Sequence, residues 1–163
     1  MDLTKYNMDD LLFAAIKSEI NANEVYTRLA GGVKNAFLKD KLNFLAGEEK
    51  KHEETLRGVF RETFPGKEVV LPEETPVPLP DIIIPDEQVP LTQILESAMG
   101  AEMAAHEYYK KLSEMFDNPT TKATLTYLAA MEMGHYKLLE IEKEIAGRFE
   151  DFDVYEPMMH AGP

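Results

Sequence analysis

One arrangement is written twice in this chain. A glutamate is followed by a tyrosine seven positions on and, thirty positions on, by the Glu of a Glu-x-x-His. Glu19, Tyr26, Glu49 and His52 form the first copy; Glu102, Tyr109, Glu132 and His135 form the second, each displaced by 83 residues. The same offset matches Leu12 with Leu95, Ala15 with Ala98, Leu29 with Leu112, Leu42 with Leu125, Leu45 with Leu128, Ala46 with Ala129 and Leu56 with Leu139. A duplicated unit that cannot bury its apolar face alone must pack on its copy. The chain is therefore expected to fold as two like halves about a pseudo-two-fold axis.

Each half reads as a pair of helices. Leu12, Ala15, Ile16, Ala22, Tyr26, Leu29 and Ala30 recur with a 3.6-residue period, after a start signal at Asn7 and Asp10 and before Gly31-Gly32. A second stripe runs Leu38, Leu42, Leu45, Leu56, Val59 and Phe60, closed by Pro65-Gly66. The third comprises Leu91, Leu95, Ala98, Met99, Ala105, Tyr109, Leu112 and Phe116. Asn118 then caps, Pro119 takes the first helical position, and Leu125, Leu128, Leu139, Ile145 and Ala146 mark the fourth helix.

Residues 65–90 hold seven of the chain's ten prolines and cannot be helix. At ~3.1 Å per residue such a connector exceeds the ~45 Å of a 30-residue helix, so helices two and three can run parallel. Its run Ile82-Ile83-Ile84 is too apolar for a free linker and is expected to pack on the bundle or on a second subunit. The expected fold is all-α, a single four-helix bundle over residues 1–163. It divides into a hairpin at 8–64, a proline-rich crossover at 65–90, a hairpin at 91–149 and an aperiodic tail at 150–163.

Composition removes several functions. Thirty acidic against 17 basic residues give a net charge of -13, which repels phosphate backbones and argues against nucleic acid. The acidic pairs Glu53-Glu54 and Glu73-Glu74 read as solvated. With no cysteine, disulfides, thiolate catalysis and an iron–sulfur centre within the chain are excluded. Charges at Asp2, Lys5, Asp9, Asp10, Lys17 and Glu19 leave no signal-peptide core, and Leu11–Ile16 is far too short to span a membrane. A cytoplasmic protein with no membrane partner is the expectation. The nine methionines read as core filler rather than a copper site.

A lone Glu-x-x-His is cheap in a chain where Glu fills 21 of 163 positions. The informative point is where the polar residues fall. Glu19 interrupts the first stripe, Glu49 and His52 fill the gap between Leu45 and Leu56, Glu102 lies between Ala98 and Tyr109, and Glu132 and His135 fill the gap between Leu128 and Leu139. All six thus face inward on helices. Each unpaired buried ion costs several kcal/mol, so four carboxylates together must either take up protons or surround cations. Two divalent ions balance four carboxylates, and two neutral imidazoles complete the set. Glu and His three positions apart share a helix face, so each motif can offer a bridging carboxylate and a nitrogen to the same ion pair.

This pattern resembles the ferritin-like di-iron carboxylate superfamily, most closely its rubrerythrin group, over residues 8–149. The resemblance implies a ferritin-like four-helix bundle. It implies Glu19 and Glu102 as terminal carboxylates, Glu49 and Glu132 as bridging carboxylates, His52 and His135 as nitrogen ligands, and Tyr26 and Tyr109 as hydrogen-bond donors to the ligands. The cofactor would be two iron ions, with Fe/Mn or Mn/Mn pairs also suited. The implied activity is reduction of hydrogen peroxide, or activation of dioxygen, by a symmetric centre; a homo-oligomer is expected, a dimer being favoured.

Departures from the group carry expectations of their own. Rubrerythrins typically add a rubredoxin domain with four Cys; without those residues, electrons are expected from an external donor protein such as a rubredoxin. The position of an extra third-helix Glu is Ala105 here. Bacterioferritin, an iron-storage ferroxidase, shares the six-ligand pattern and remains the alternative, although its haem-binding Met position holds Lys50. His106, four residues beyond Glu102 and matched to Asn23, is expected to be a satisfied core histidine or to support the ligands rather than bind metal. His160 is expected at the surface or in an interface.

Overall fold

In a computed structural model of the chain, residues 2–79, 82 and 89–148 are described. A 3-10 turn at Leu3–Lys5 precedes four helices: α1 Met8–Gly32, α2 Ala36–Thr63, α3 Leu91–Glu114 and α4 Pro119–Arg148. Their starts have identifiable causes. Asn35 Oδ1 accepts from the backbone N–H groups of Phe37 and Leu38, and Asn118 Oδ1 accepts from those of Thr120 and Thr121. Each satisfies donors that have no partner within the helix. At the far end of α2, Gly66 adopts a φ of 83°, a left-handed conformation that glycine takes without steric cost.

Hydrogen bonds and ion pairs between helices fix their directions. Along α1 from Glu19 to Tyr26, the partners on α3 run backwards from Tyr109 to Glu102. His52 lies against Glu132 while Glu49 lies against His135, so α2 and α4 are also antiparallel. Asn23 bonds to the Ala46 carbonyl and His106 to that of Ala129 within the two hairpins. Since α4 is antiparallel to both α2 and α3, α2 and α3 run parallel, as the long crossover allows. The architecture is an all-α four-helix bundle with one crossover, as expected.

The core divides into two apolar clusters, and the duplication explains their membership. Leu12, Ala15, Leu56, Tyr109, Leu112, Leu125 and Leu128 belong to one cluster. Their equivalents 83 residues away, Leu95, Ala98, Leu139, Tyr26, Leu29, Leu42 and Leu45, all belong to the other. A two-fold axis between the layers requires this exchange. Fully burying each of these leucines stabilises the fold by about 1.5–3 kcal/mol, so both layers can bear a polar level between them.

In the crossover, Val77 is buried in the first cluster and Ile82 packs against the second. Ile83, Ile84, His160 and the tail 150–163 lie outside the described residues. No described helix is long and apolar enough to cross a membrane.

Candidate metal centre

The six inward polar residues form the level between the clusters, and none is more than 4% exposed. Helix register delivers them: α1 and α3 each bring a Glu and a Tyr, while α2 and α4 each bring a Glu-x-x-His. The two imidazole rings stack 5.3 Å apart. His52 Nδ1 lies 2.9 Å from Glu132, 3.1 Å from Glu49 and 3.6 Å from Glu19. His135 Nδ1 lies 3.0 Å from Glu49, 3.3 Å from Glu132 and 3.5 Å from Glu102.

These distances sort the residues. Glu49 and Glu132 are close to both histidines, whereas Glu19 accompanies only His52 and Glu102 only His135. Two half-sites therefore share a central pair of carboxylates. Ligand atoms of Glu49, His52, Glu132 and His135 all lie within 4.8 Å of one another.

The donor set fits metal ions. Among the described residues, the buried atoms Glu49 Oε1, His52 Nε2, Glu132 Oε1 and both nitrogens of His135 have no hydrogen-bond partner. Several are close to another polar atom yet not aligned for a hydrogen bond. Such separations suit a common ion: neighbouring ligand atoms about 2.1 Å from an octahedral ion are about 3.0 Å apart. Oxygen and imidazole donors without sulfur suit iron and manganese.

Without metal, proton positions must meet the electrostatic demand. Burial, reinforced by the charge of Glu132, pushes the Glu19 carboxyl well above its usual range; burial likewise raises Glu102. Burial would raise Glu132 too, but the close imidazoles of His135 and His52 overcome it and hold that group down at about 2. Glu49 is lowered in the same way, with burial opposed by both histidines. Burial disfavours the His52 cation, yet the carboxylates of Glu132, Glu19 and Glu49 beside it push it up to about 12. His135 moves in the same direction against the same opposition.

The tyrosines cross between the halves. Tyr26 donates to Glu102, and Tyr109 donates to Glu19. Both are fully covered, and burial plus the facing carboxylate charge keeps each phenol protonated. Their donation leaves the second oxygen of each carboxylate toward the histidines.

The chain matches the rubrerythrin family model over residues 10–143. The chain belongs to the rubrerythrin family. A hypothetical protein from Pyrococcus furiosus is 40% identical to it, with a TM-score of 0.80 over 91% of this chain and 96% of that one. A manganese catalase from Anabaena PCC7120 is 20% identical, with a TM-score of 0.69 over 86% of this chain and 72% of that one. A dodecameric thioferritin from Bacteroides fragilis, described as bacterioferritin-related, is also 20% identical, with a TM-score of 0.67 over 93% and 92%. The last two likenesses show a shared fold. No match was found among curated proteins. Membership in this ferritin-like di-iron family accords with a buried Glu/His cluster able to hold two metal ions.

Three placements differ from what the residue pattern suggests or were not visible in it. Glu53, expected in solvent, is buried, with Lys50 at 2.6 Å and Arg57 at 2.7 Å; Glu54 is exposed. The signal was the spacing of Lys three before and Arg four after a Glu, which lets both cations fold over it. His106 stands outside the cluster, its Nδ1–H donating to the Ala129 carbonyl at 2.6 Å. Asn23 makes the equivalent bond to Ala46, also at 2.6 Å. Each bond braces the Glu-x-x-His helix about one turn ahead of Glu49 or Glu132. Tyr108, with no equivalent in the first repeat, donates to the Leu11 carbonyl at 2.7 Å.

Proposed function

We propose that this protein is a di-iron oxidoreductase that reduces hydrogen peroxide to water, taking electrons from a separate donor protein such as a rubredoxin. The observation that carries this reading is a buried, paired half-site with a small chamber directly over its carboxylates. That chamber, of about 20 Å³, is lined in part by Glu19, Glu49, Glu102 and Glu132. It has room for about one to two water molecules, the scale of hydrogen peroxide or dioxygen.

Glu19, His52, Glu102 and His135 would hold one ion in each half-site, and Glu49 and Glu132 would hold both. When bound, the ion pair supplies the two electrons that break the O–O bond, and two protons complete two water molecules. The protein's part is placement and proton supply. Tyr26 and Tyr109 fix the terminal carboxylates and keep a proton on each phenol oxygen. Either phenol or a glutamate relays protons to the leaving oxygen. The two apolar layers exclude bulk water and so protect the reduced centre from side reactions. Iron, a mixed pair or manganese all suit these ligands; we assign iron from the family.

The test is anaerobic addition of hydrogen peroxide to the reduced, iron-loaded protein, followed by iron analysis after loading with excess ferrous salt in air. We expect about two irons per chain, rapid oxidation by about one peroxide per pair, and a dimer by light scattering. Iron uptake far beyond two per chain, in a soluble particle of many subunits, would instead establish a storage ferroxidase.

A further inference from the structure

The chamber is shaped by what α1, α3 and the crossover place around it. Where α1 and α3 face each other above the carboxylates, the side chains are small: Ala22, Ala101 and Ala105. Ile82 of the crossover lines the same chamber and is half-buried against the second core cluster. The crossover is anchored nearby, since Lys17 Nζ donates to the Pro72 carbonyl at 3.1 Å and also to that of Glu73.

Ser18 and Asn21 complete one wall. Both also line a second cavity of about 320 Å³, which lies between α1 and the crossover residues Glu73–Leu79. The inner chamber and this roomier outer space therefore share a polar wall. Alanines leave the inner space open, and among the described residues the one bulky apolar side chain in its lining is Ile82.

We propose that Ile82 is the specificity-determining residue of the site. It restricts the oxidant to a molecule of about two heavy atoms, hydrogen peroxide or dioxygen, which reaches the carboxylates past Ser18 and Asn21 from the outer cavity. Alkyl hydroperoxides are excluded because their carbon groups would occupy the volume of the isoleucine. This inference rests on the peroxide-reducing reading, but the geometry of access can be measured separately.

The experiment compares the full chain with Ile82→Ala, Ile82→Phe and Ser18→Leu. Reduced, iron-loaded protein is oxidised by hydrogen peroxide or tert-butyl hydroperoxide in stopped flow, and cobalt(II) uptake by metal-free protein is followed by absorbance. In Ile82→Ala, the ratio of tert-butyl to hydrogen peroxide rates should rise at least about tenfold, the scale on which a few carbon atoms discriminate in a fitted pocket. Cobalt uptake should accelerate in that variant and slow in Ile82→Phe and Ser18→Leu. An unchanged peroxide ratio, with cobalt uptake at the parent rate in all variants, overturns the proposal.

If no protein is oxidised by either peroxide, the peroxidase reading fails; cobalt uptake then decides the access geometry alone, faster in Ile82→Ala supporting it and equal rates overturning it. If Ile82→Ala does not fold, Ser18→Leu decides: slowed uptake supports the route, and uptake at the parent rate overturns it.

Discussion

The α1–α3 pair and the α2–α4 pair each contribute two glutamates to one buried level, yet the two sets behave oppositely. Glu19 and Glu102 are pushed up by burial and receive hydrogen bonds from tyrosines on the opposite half. Glu49 and Glu132 are held down by the imidazoles around them. Identical side chains at similar burial thus differ because of their partners. The surroundings of the central pair favour its charged form, while burial disfavours charge on the outer pair.

The largest effect separating the pairs should come from removing one carboxylate of each kind. Glu49→Ala or Glu132→Ala deletes a ligand common to both half-sites, so metal analysis after desalting should find neither site filled and peroxide turnover at background. Glu19→Ala damages only the half-site with His52, so about one ion per chain should remain. Two tightly held ions in Glu49→Ala would mean that the central carboxylates are not shared.

Metal removal tests the proton arrangement. Loading should raise the melting temperature markedly, since free metal at a thousand times Kd stabilises by about 4 kcal/mol. The pH dependence has a definite sign. His52, raised from 6.5 to about 12, stabilises the metal-free fold fully below 6.5 and loses that contribution as pH climbs toward 12. Raised Glu19 and Glu102 likewise stabilise below the ordinary 4.5 and lose this as pH rises through their shifted values. Glu132 contributes above 4.5 and loses its contribution as pH falls toward about 2.

Metal-free protein should therefore weaken from about pH 6 to about pH 8, where the loaded protein has already shed its ligand protons. Loading should release protons, from the raised His52 and His135 and from the raised carboxyls of Glu19 and Glu102. Calorimetry in buffers of different ionisation enthalpy measures this directly. A loaded-minus-free stability gap that stays constant with pH would rule out the proton exchange.

Much of this was legible in the residues because a buried charge interrupts an apolar stripe, and the interruption can be read. Glu49 and His52 occupy positions where the period demands apolar side chains, and the 83-residue offset repeats the violation. The crossed pairing was not legible: nothing in the spacing of Glu19 and Tyr26 says that the tyrosine serves Glu102 instead. That follows from the antiparallel α1–α3 packing, a property of the assembled bundle. Glu53 was obscured for a similar reason, since its exposure depends on where Lys50 and Arg57 lay their long side chains. Ile82 lies in a proline-rich stretch with no periodicity, so its position over the chamber has no sequence signature.

Removing the crossed hydrogen bonds should give a smaller, matched pair of effects. Tyr26→Phe frees Glu102 and Tyr109→Phe frees Glu19, without changing shape appreciably. Loss of a partner that orients a metal ligand lowers metal affinity by about 10–100-fold. Competition with a chelator should show similar losses in both variants if the two-fold relation extends to energy. A loss confined to one would show that the halves have diverged in function while keeping their geometry.

The smallest expected effect concerns a position near the centre where the halves differ chemically yet make the same bond. Asn23 and His106 make the same bond to equivalent alanine carbonyls, although only one of them can carry charge. If the bond is what matters, His106→Asn should approach the parent in stability and metal content. His106→Ala should lose about 1 kcal/mol, the usual net worth of one hydrogen bond, and still bind two ions. Chemical denaturation and metal analysis measure both quantities on the same samples. A metal deficit in both His106→Ala and His106→Asn would make the imidazole itself a ligand, and would move the functional asymmetry of the molecule from its access chamber into the centre.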